Sequence, residues 1–192
     1  MIFVGIDPGV TGGVAALRAG DHHEPLICVD APVMQAGTKR LPSPVGMDAL
    51  LLEIGAFRYG EVIFVALETQ VAMPRQRGGG TLMWGFGVWE GLIVARGWPY
   101  VTVRPQAWKQ TVLKGLNRKE KGSSRRRAEQ LFPGVDLGRR SDEGRSEALL
   151  IAEWARSSRP LASPTRTSTS LRPTSSADDE AVQMASIRCT PR

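Results

Sequence analysis

Three acidic residues stand where their surroundings call for apolar ones. Asp7 closes the run Ile2-Phe-Val-Gly-Ile6, Glu68 closes EVIFVALE at 61–68, and Glu147 abuts Ala148-Leu-Leu-Ile-Ala152. A carboxylate at the edge of a buried element is costly unless solvent, an arginine or a cation compensates it. Glu143 lies one helical turn before Glu147, where like charges on a shared face repel mildly. Asp142 and Glu143 also suit the N-terminal end of a helix, so capping competes with ligation for both. Acids gathered from separate segments are stable together when they share divalent cations, and hard oxygen donors suit Mg²⁺ or Mn²⁺. Two such ions in one site can activate a water and stabilise the leaving oxygen of a phosphodiester. Pro8, Gly9, Gly12 and Gly13 then turn the chain away from Asp7 and leave room beside it.

Cationic residues follow the acids along the chain. The stretch 114–127 carries Lys114, Arg118, Lys119, Lys121, Arg125, Arg126 and Arg127 against the single acid Glu120. Alone this reads as a solvated charged face; near an acidic cluster it reads as a phosphate-tracking rim with steep salt dependence. The loop 69–80, TQVAMPRQRGGG, is either a flexible spacer or a mobile loop that brings Met73, Arg75 and Arg77 to unpaired bases or phosphates. GFGVWEG imitates a dinucleotide-binding fingerprint but falls inside an expected helix, so Gly85, Gly87 and Gly91 are read as close-packing positions. Trp84 and Trp89 are read as core or dimer contacts, and Trp108 as the anchor of its helix. His22 and His23, in a polar turn, are given no role.

The elements that must position these residues follow from periodicity. Strands are expected at 1–7, 13–18 and 26–29, forming an antiparallel meander, then at 61–68 and 100–103. Helices are expected at 46–57, 81–96, from Pro105 onward, in the second half of the basic stretch, and at 142–155. A proline-bearing loop with Pro32, Pro42 and Pro44 is expected before the first helix. The order predicts an α/β fold: three antiparallel strands extended by βαβ-type additions, with helices flanking the mixed sheet. The 192-residue chain suits one domain, residues 1–156, followed by a Ser/Thr/Pro/Arg-rich tail, 157–192, that lacks the apolar content to order itself. A net charge of +6 favours a polyanionic partner. Cys28 and Cys189 have no metal-ligand spacing and are read as free thiols in a reducing compartment. With no leader-like N-terminus and no apolar stretch able to span a bilayer, a cytoplasmic protein is expected, with no membrane partner.

At this point the motifs resemble a known family. GIDPGVTGG, ALETQVAMPRQ, WGFGVWEGLIVARGWPYVTVRPQAWKQTVLKG and DEGRSEALLIAEWA, in that order over about residues 1–156, resemble the RuvC-type Holliday junction resolvases, particularly their phage and prophage branch. The resemblance implies an RNase H-like fold and Mg²⁺-dependent cleavage of four-way junctions by a homodimer in the cytosol of a bacterium or phage-infected host, with two ions per site and Mn²⁺ as a substitute. It implies metal-binding roles for Asp7, Glu68 and Glu147, with Glu143 as the fourth acid and Asp142 as the fallback. It also places Lys109 and Lys121 near the scissile phosphate, with Lys119 able to replace Lys121. Two alternatives remain: a branched-DNA-binding protein of the same fold that has lost its chemistry, and a fragment of an actin-like ATPase or sugar kinase.

Overall fold

The structure, a computed structural model, describes residues 1–20, 24–70, 79–118 and 120–158. The expectations for Met73, Arg75, Arg77, Lys119, the two histidines and nearly all of the tail lie outside the described residues. Five strands form one mixed sheet: β1 (Ile2–Asp7), β2 (Gly13–Arg18), β3 (Ile27–Asp30), and, after a separate hairpin, β6 (Ile63–Glu68) and β7 (Tyr100–Val103). Their order is β3-β2-β1-β6-β7. β1 and β2 pair antiparallel, as do β2 and β3, while β6 and β7 are added parallel to β1. This is the expected mixed α/β sheet.

Side-chain alternation along the two central strands decides where the acids go. Ile2, Val4 and Ile6 of β1, with Ile63, Val65 and Leu67 of β6, pack on one face with Leu51 and Ile54 of α1 (Pro44–Ala56) and Trp89 and Ile93 of α2 (Gly79–Ala95). Phe3 and Phe64 face the other way. They pack with Trp108 of α3 (Pro105–Val112), Ala128 of α4 (Ser123–Leu131) and Leu149 to Ala152 of α5 (Glu143–Ser158). Because strand side chains alternate, Asp7 shares the face of Phe3 and Glu68 shares the face of Phe64. Both acids therefore belong to the side covered by α3 and α5.

Helix α5 approaches that face at backbone distance. A Cβ on Gly5 would clash with the Ala148 carbonyl oxygen and the Ala152 nitrogen, and one on Gly144 would clash with the Thr11 carbonyl oxygen. Gly12 and Gly144 form a parallel bridge between the β1–β2 turn and the start of α5. Small residues on both elements are thus what lets the helix seat so close.

Two expectations need correction. The proline-bearing segment is not a plain loop: β4 (Val33–Ala36) and β5 (Lys39–Pro42) form an antiparallel hairpin. Gly37, at φ 60°, begins the two-residue turn that closes it. Its strands are largely exposed and pair only with each other, so they lack the apolar alternation that marks the main sheet. The second correction concerns α2. Gly85 is a close-packing position, where a Cβ would stand 2.8 Å from Pro42 Cγ, but Gly87 and Gly91 face open space.

Candidate active site

The C-terminal ends of β1 and β6 lie side by side, since the last registered pair is Ile6 with Leu67 and each acid comes next in its strand. Helix α5, seated over β1, brings Glu143 and Glu147 to the same end. Asp7, Glu68 and Glu147 stand within electrostatic reach of one another. Burial, reinforced by the charge of Glu147, raises the Asp7 carboxyl to about 6. Burial, reinforced by Asp7, raises Glu68 to about 7. Glu143 is also raised, by burial and then by Glu147. No arginine pairs with Asp7, Glu68 or Glu147 among the described residues.

Each acid has defined neighbours. Asp7 Oδ1 accepts a hydrogen bond from the Gly9 backbone N–H at 3.3 Å. Glu68, only 5% exposed, accepts from Trp108 Nε1 at 2.8 Å and, at a longer 3.4 Å, from Gln70 Nε2. Glu147 Oε1 receives Lys109 Nζ at 2.5 Å and Ser124 Oγ at 3.0 Å. Lys109 Nζ also lies 5.0 Å from the centre of the Trp108 ring. Thr69 Oγ1, next to Glu68 in sequence, is buried without a hydrogen-bond partner among the described residues.

Asp142 is not brought to this cluster. It is fully buried, with Arg139 Nε 2.9 Å and Arg145 Nη2 2.9 Å from Oδ1 and the Arg139 backbone N–H 2.8 Å from Oδ2. Burial works to raise its carboxyl, and these hydrogen bonds overcome that and hold it below the usual range. Its side chain accepts from the backbone N–H of the N-cap, Arg139, in the capping box of the 3₁₀ turn Arg140–Asp142 ahead of α5. Glu143, a single position on, interacts electrostatically with Glu147, Lys109, Arg125 and Lys121. Of the two residues considered for the fourth position, the geometry leaves Glu143.

The basic stretch divides. Arg127 Nε donates to the Val112 carbonyl at 3.0 Å, tying α4 to the end of α3, and Arg126 pairs with Glu120 at 2.8 Å. Arg125 makes a long 3.8 Å contact with Glu129. Lys114, Arg118 and Lys121 are exposed, with no acidic partner within salt-bridge distance among the described residues. Sequence reasoning missed Ser124, Gln70 and the Trp108 contact to Glu68. Only Trp108 carried a signal, as a large ring beside Lys109 that needs an acceptor once buried.

The donor set is chemically suited to a hard divalent cation: the carboxylates of Asp7, Glu68 and Glu147 stand together, with Glu143 coupled to Glu147 and one ammonium, Lys109, close by. As the side chains lie, however, no group of three or more His, Cys, Asp or Glu among the described residues is arranged to hold an ion. Glu147 is instead engaged by Lys109.

No protein-family model matches the chain, and neither does the sequence of any curated protein. Among solved structures it is similar to RuvC of Thermus thermophilus, at 21% identity over 82% of this chain and 97% of that one, with a TM-score of 0.55. It is likewise similar to T. thermophilus RuvC in complex with a Holliday junction substrate, at 21% identity over 82% and 94% of the two chains, with a TM-score of 0.58. The fold is therefore the RNase H-like fold of RuvC.

Proposed function

We propose that this chain is a divalent-metal-dependent endonuclease of the RuvC type that cuts branched DNA, four-way junctions foremost. One observation carries the reading: Asp7, Glu68 and Glu147, from β1, β6 and α5, meet at one end of a RuvC-like sheet, and none is neutralised by an arginine among the described residues. Asp7, Glu68, Glu143 and Glu147 would hold Mg²⁺ or Mn²⁺. The bound cations would supply Lewis-acid stabilisation of the charge that builds on a phosphodiester under attack by water.

The chain's own residues do the rest. Asp7 sits at the tip of a central strand, so its carboxylate is rigidly placed. Ser124, on α4, fixes Glu147 and keeps α4 in register with the site. Lys109, once freed from Glu147, offers its ammonium to the scissile phosphate, and Lys121 does so from the rim. Lys114 and Arg118 meet the backbone farther out.

A homodimer completes the proposal. Met83, Trp84 and Val94 of α2 are 41%, 42% and 57% exposed, and Gly80, Gly87 and Gly91 carry no neighbour at their Cβ positions. Intervals of three and four residues put Gly80, Trp84, Gly87, Gly91 and Val94 on one face, where a second copy could approach closely.

Nicking of a synthetic four-way junction in Mg²⁺ tests the reading. Wild type should cut and Asp7→Asn should lose at least about 100-fold in rate, in line with loss of a main charge-stabilising group; equal rates would refute it. The reading as a binding protein without chemistry draws on the engagement of Glu147 by Lys109. Junction binding without cleavage in either Mg²⁺ or Mn²⁺ would favour it.

A further inference from the structure

We propose that Trp108 is the positioning residue of the site, a single indole that orients ligands on two different elements. This rests on reading the acids as a metal site. The ring is fully buried, and its N–H reaches Glu68 Oε1 at 2.8 Å across from α3 to β6. Its face lies 5.0 Å from Lys109 Nζ, which in turn meets Glu147 Oε1 on α5 at 2.5 Å. Consecutive residues of one short helix thus address both acids, and the aromatic ring links the two contacts.

Burial alone does not require this arrangement. Trp89 is also fully buried, on the opposite face of the sheet, and its Nε1 finds no partner among the described residues. A phenylalanine would keep a smaller aromatic ring in the core around 108, yet it could not donate. Glu68 has few other restraints: among the described residues its remaining donor is Gln70, at 3.4 Å. The indole therefore commits one carboxylate oxygen and leaves Oε2 as the freer donor, setting Glu68 to offer one oxygen in a fixed direction. A partner that orients a ligand in this way commonly changes metal affinity by about 10–100-fold when removed.

The test separates hydrogen bonding from packing. Trp108 is replaced by benzothienylalanine, which keeps the fused rings and their face but has sulfur where the indole has N–H, and in parallel by Phe. Mn²⁺ affinity of the full chain is measured by calorimetry, with thermal unfolding as the control for folding and Asp7→Asn alongside. The benzothienyl protein should melt within a few degrees of wild type and bind Mn²⁺ about ten-fold or more weakly. Trp108→Phe should lose at least as much, because the ring support of Lys109 shrinks as well. Wild-type affinity in the benzothienyl protein, with Asp7→Asn defective, would overturn the positioning role and leave the metal site standing. A wild-type chain that takes up no Mn²⁺ would overturn both.

Discussion

Asp7 and Glu68 make the metal-free protein less stable as it becomes more alkaline. Their carboxyls titrate near 3.8 and 4.5 without the fold and at about 6 and 7 within it. Between those limits the folded chain keeps protons that the unfolded chain has lost. The stabilising contribution is whole below about pH 4 and gone above about pH 7. Asp7→Asn or Glu68→Gln should therefore stabilise the metal-free protein by about 1–3 kcal/mol at pH 8 and by less at pH 5, read as melting temperature at the two pH values. Lys109 predicts the opposite balance. Its ammonium partly offsets the acids, so Lys109→Met should destabilise the metal-free protein by about 1–2 kcal/mol. The same change should tighten Mn²⁺ binding, because a competing cation is gone, while cleavage slows. At this scale the sequence was informative wherever an acid interrupted an apolar run, as at Asp7 and Glu68. It said nothing of Ser124, a small polar residue in a basic stretch, because its contact to Glu147 depends on how α4 docks on α5.

Among the elements, the seat of α5 on β1 and β2 governs whether the acids meet. Gly5, Gly12 and Gly144 leave no room for a methyl group against backbone atoms, and backbone yields less readily than a side-chain tip. Gly144→Ala should cost about 2–4 kcal/mol, within the range for overpacking that shifts backbone. It should also weaken Mn²⁺ binding by lifting Glu147 away from Asp7, whereas Gly87→Ala, which faces open space among the described residues, should leave Mn²⁺ binding unchanged and stabilise α2 by about 0.5–1 kcal/mol. Unfolding curves and calorimetry on the two variants check this. β1, β2 and β6 were legible because burial on both faces gives nearly unbroken apolar runs, and β2 and β7 fall at their expected limits. The β4–β5 hairpin was not, since its exposed residues answer to hydrogen bonding and to one glycine turn. The glycines of α2 misled for a related reason: spacing alone does not tell which face of a helix meets a neighbour, and only Gly85 meets Pro42.

For the whole molecule, the proposed partners, branched DNA and a second copy, would meet the basic rim and the exposed face of α2. Neutralising Lys114, Arg118 and Lys121 together should weaken junction binding about uniformly across sequences. It should also lower the steepness of the salt dependence by up to about three charges' worth, measured as affinity against salt concentration. Trp84→Glu should convert the proposed dimer to a monomer in sedimentation, with little change in melting temperature, because its side chain is already 42% exposed. The placement of the acids along the chain adds a consequence for biosynthesis. Asp7 lies in the first strand and Glu147 in the last described helix, and they meet only when α5 closes over β1. A chain whose α5 has yet to close over β1 would have only Asp7 and Glu68 in place, so the proposed site would be complete only after synthesis has passed α5.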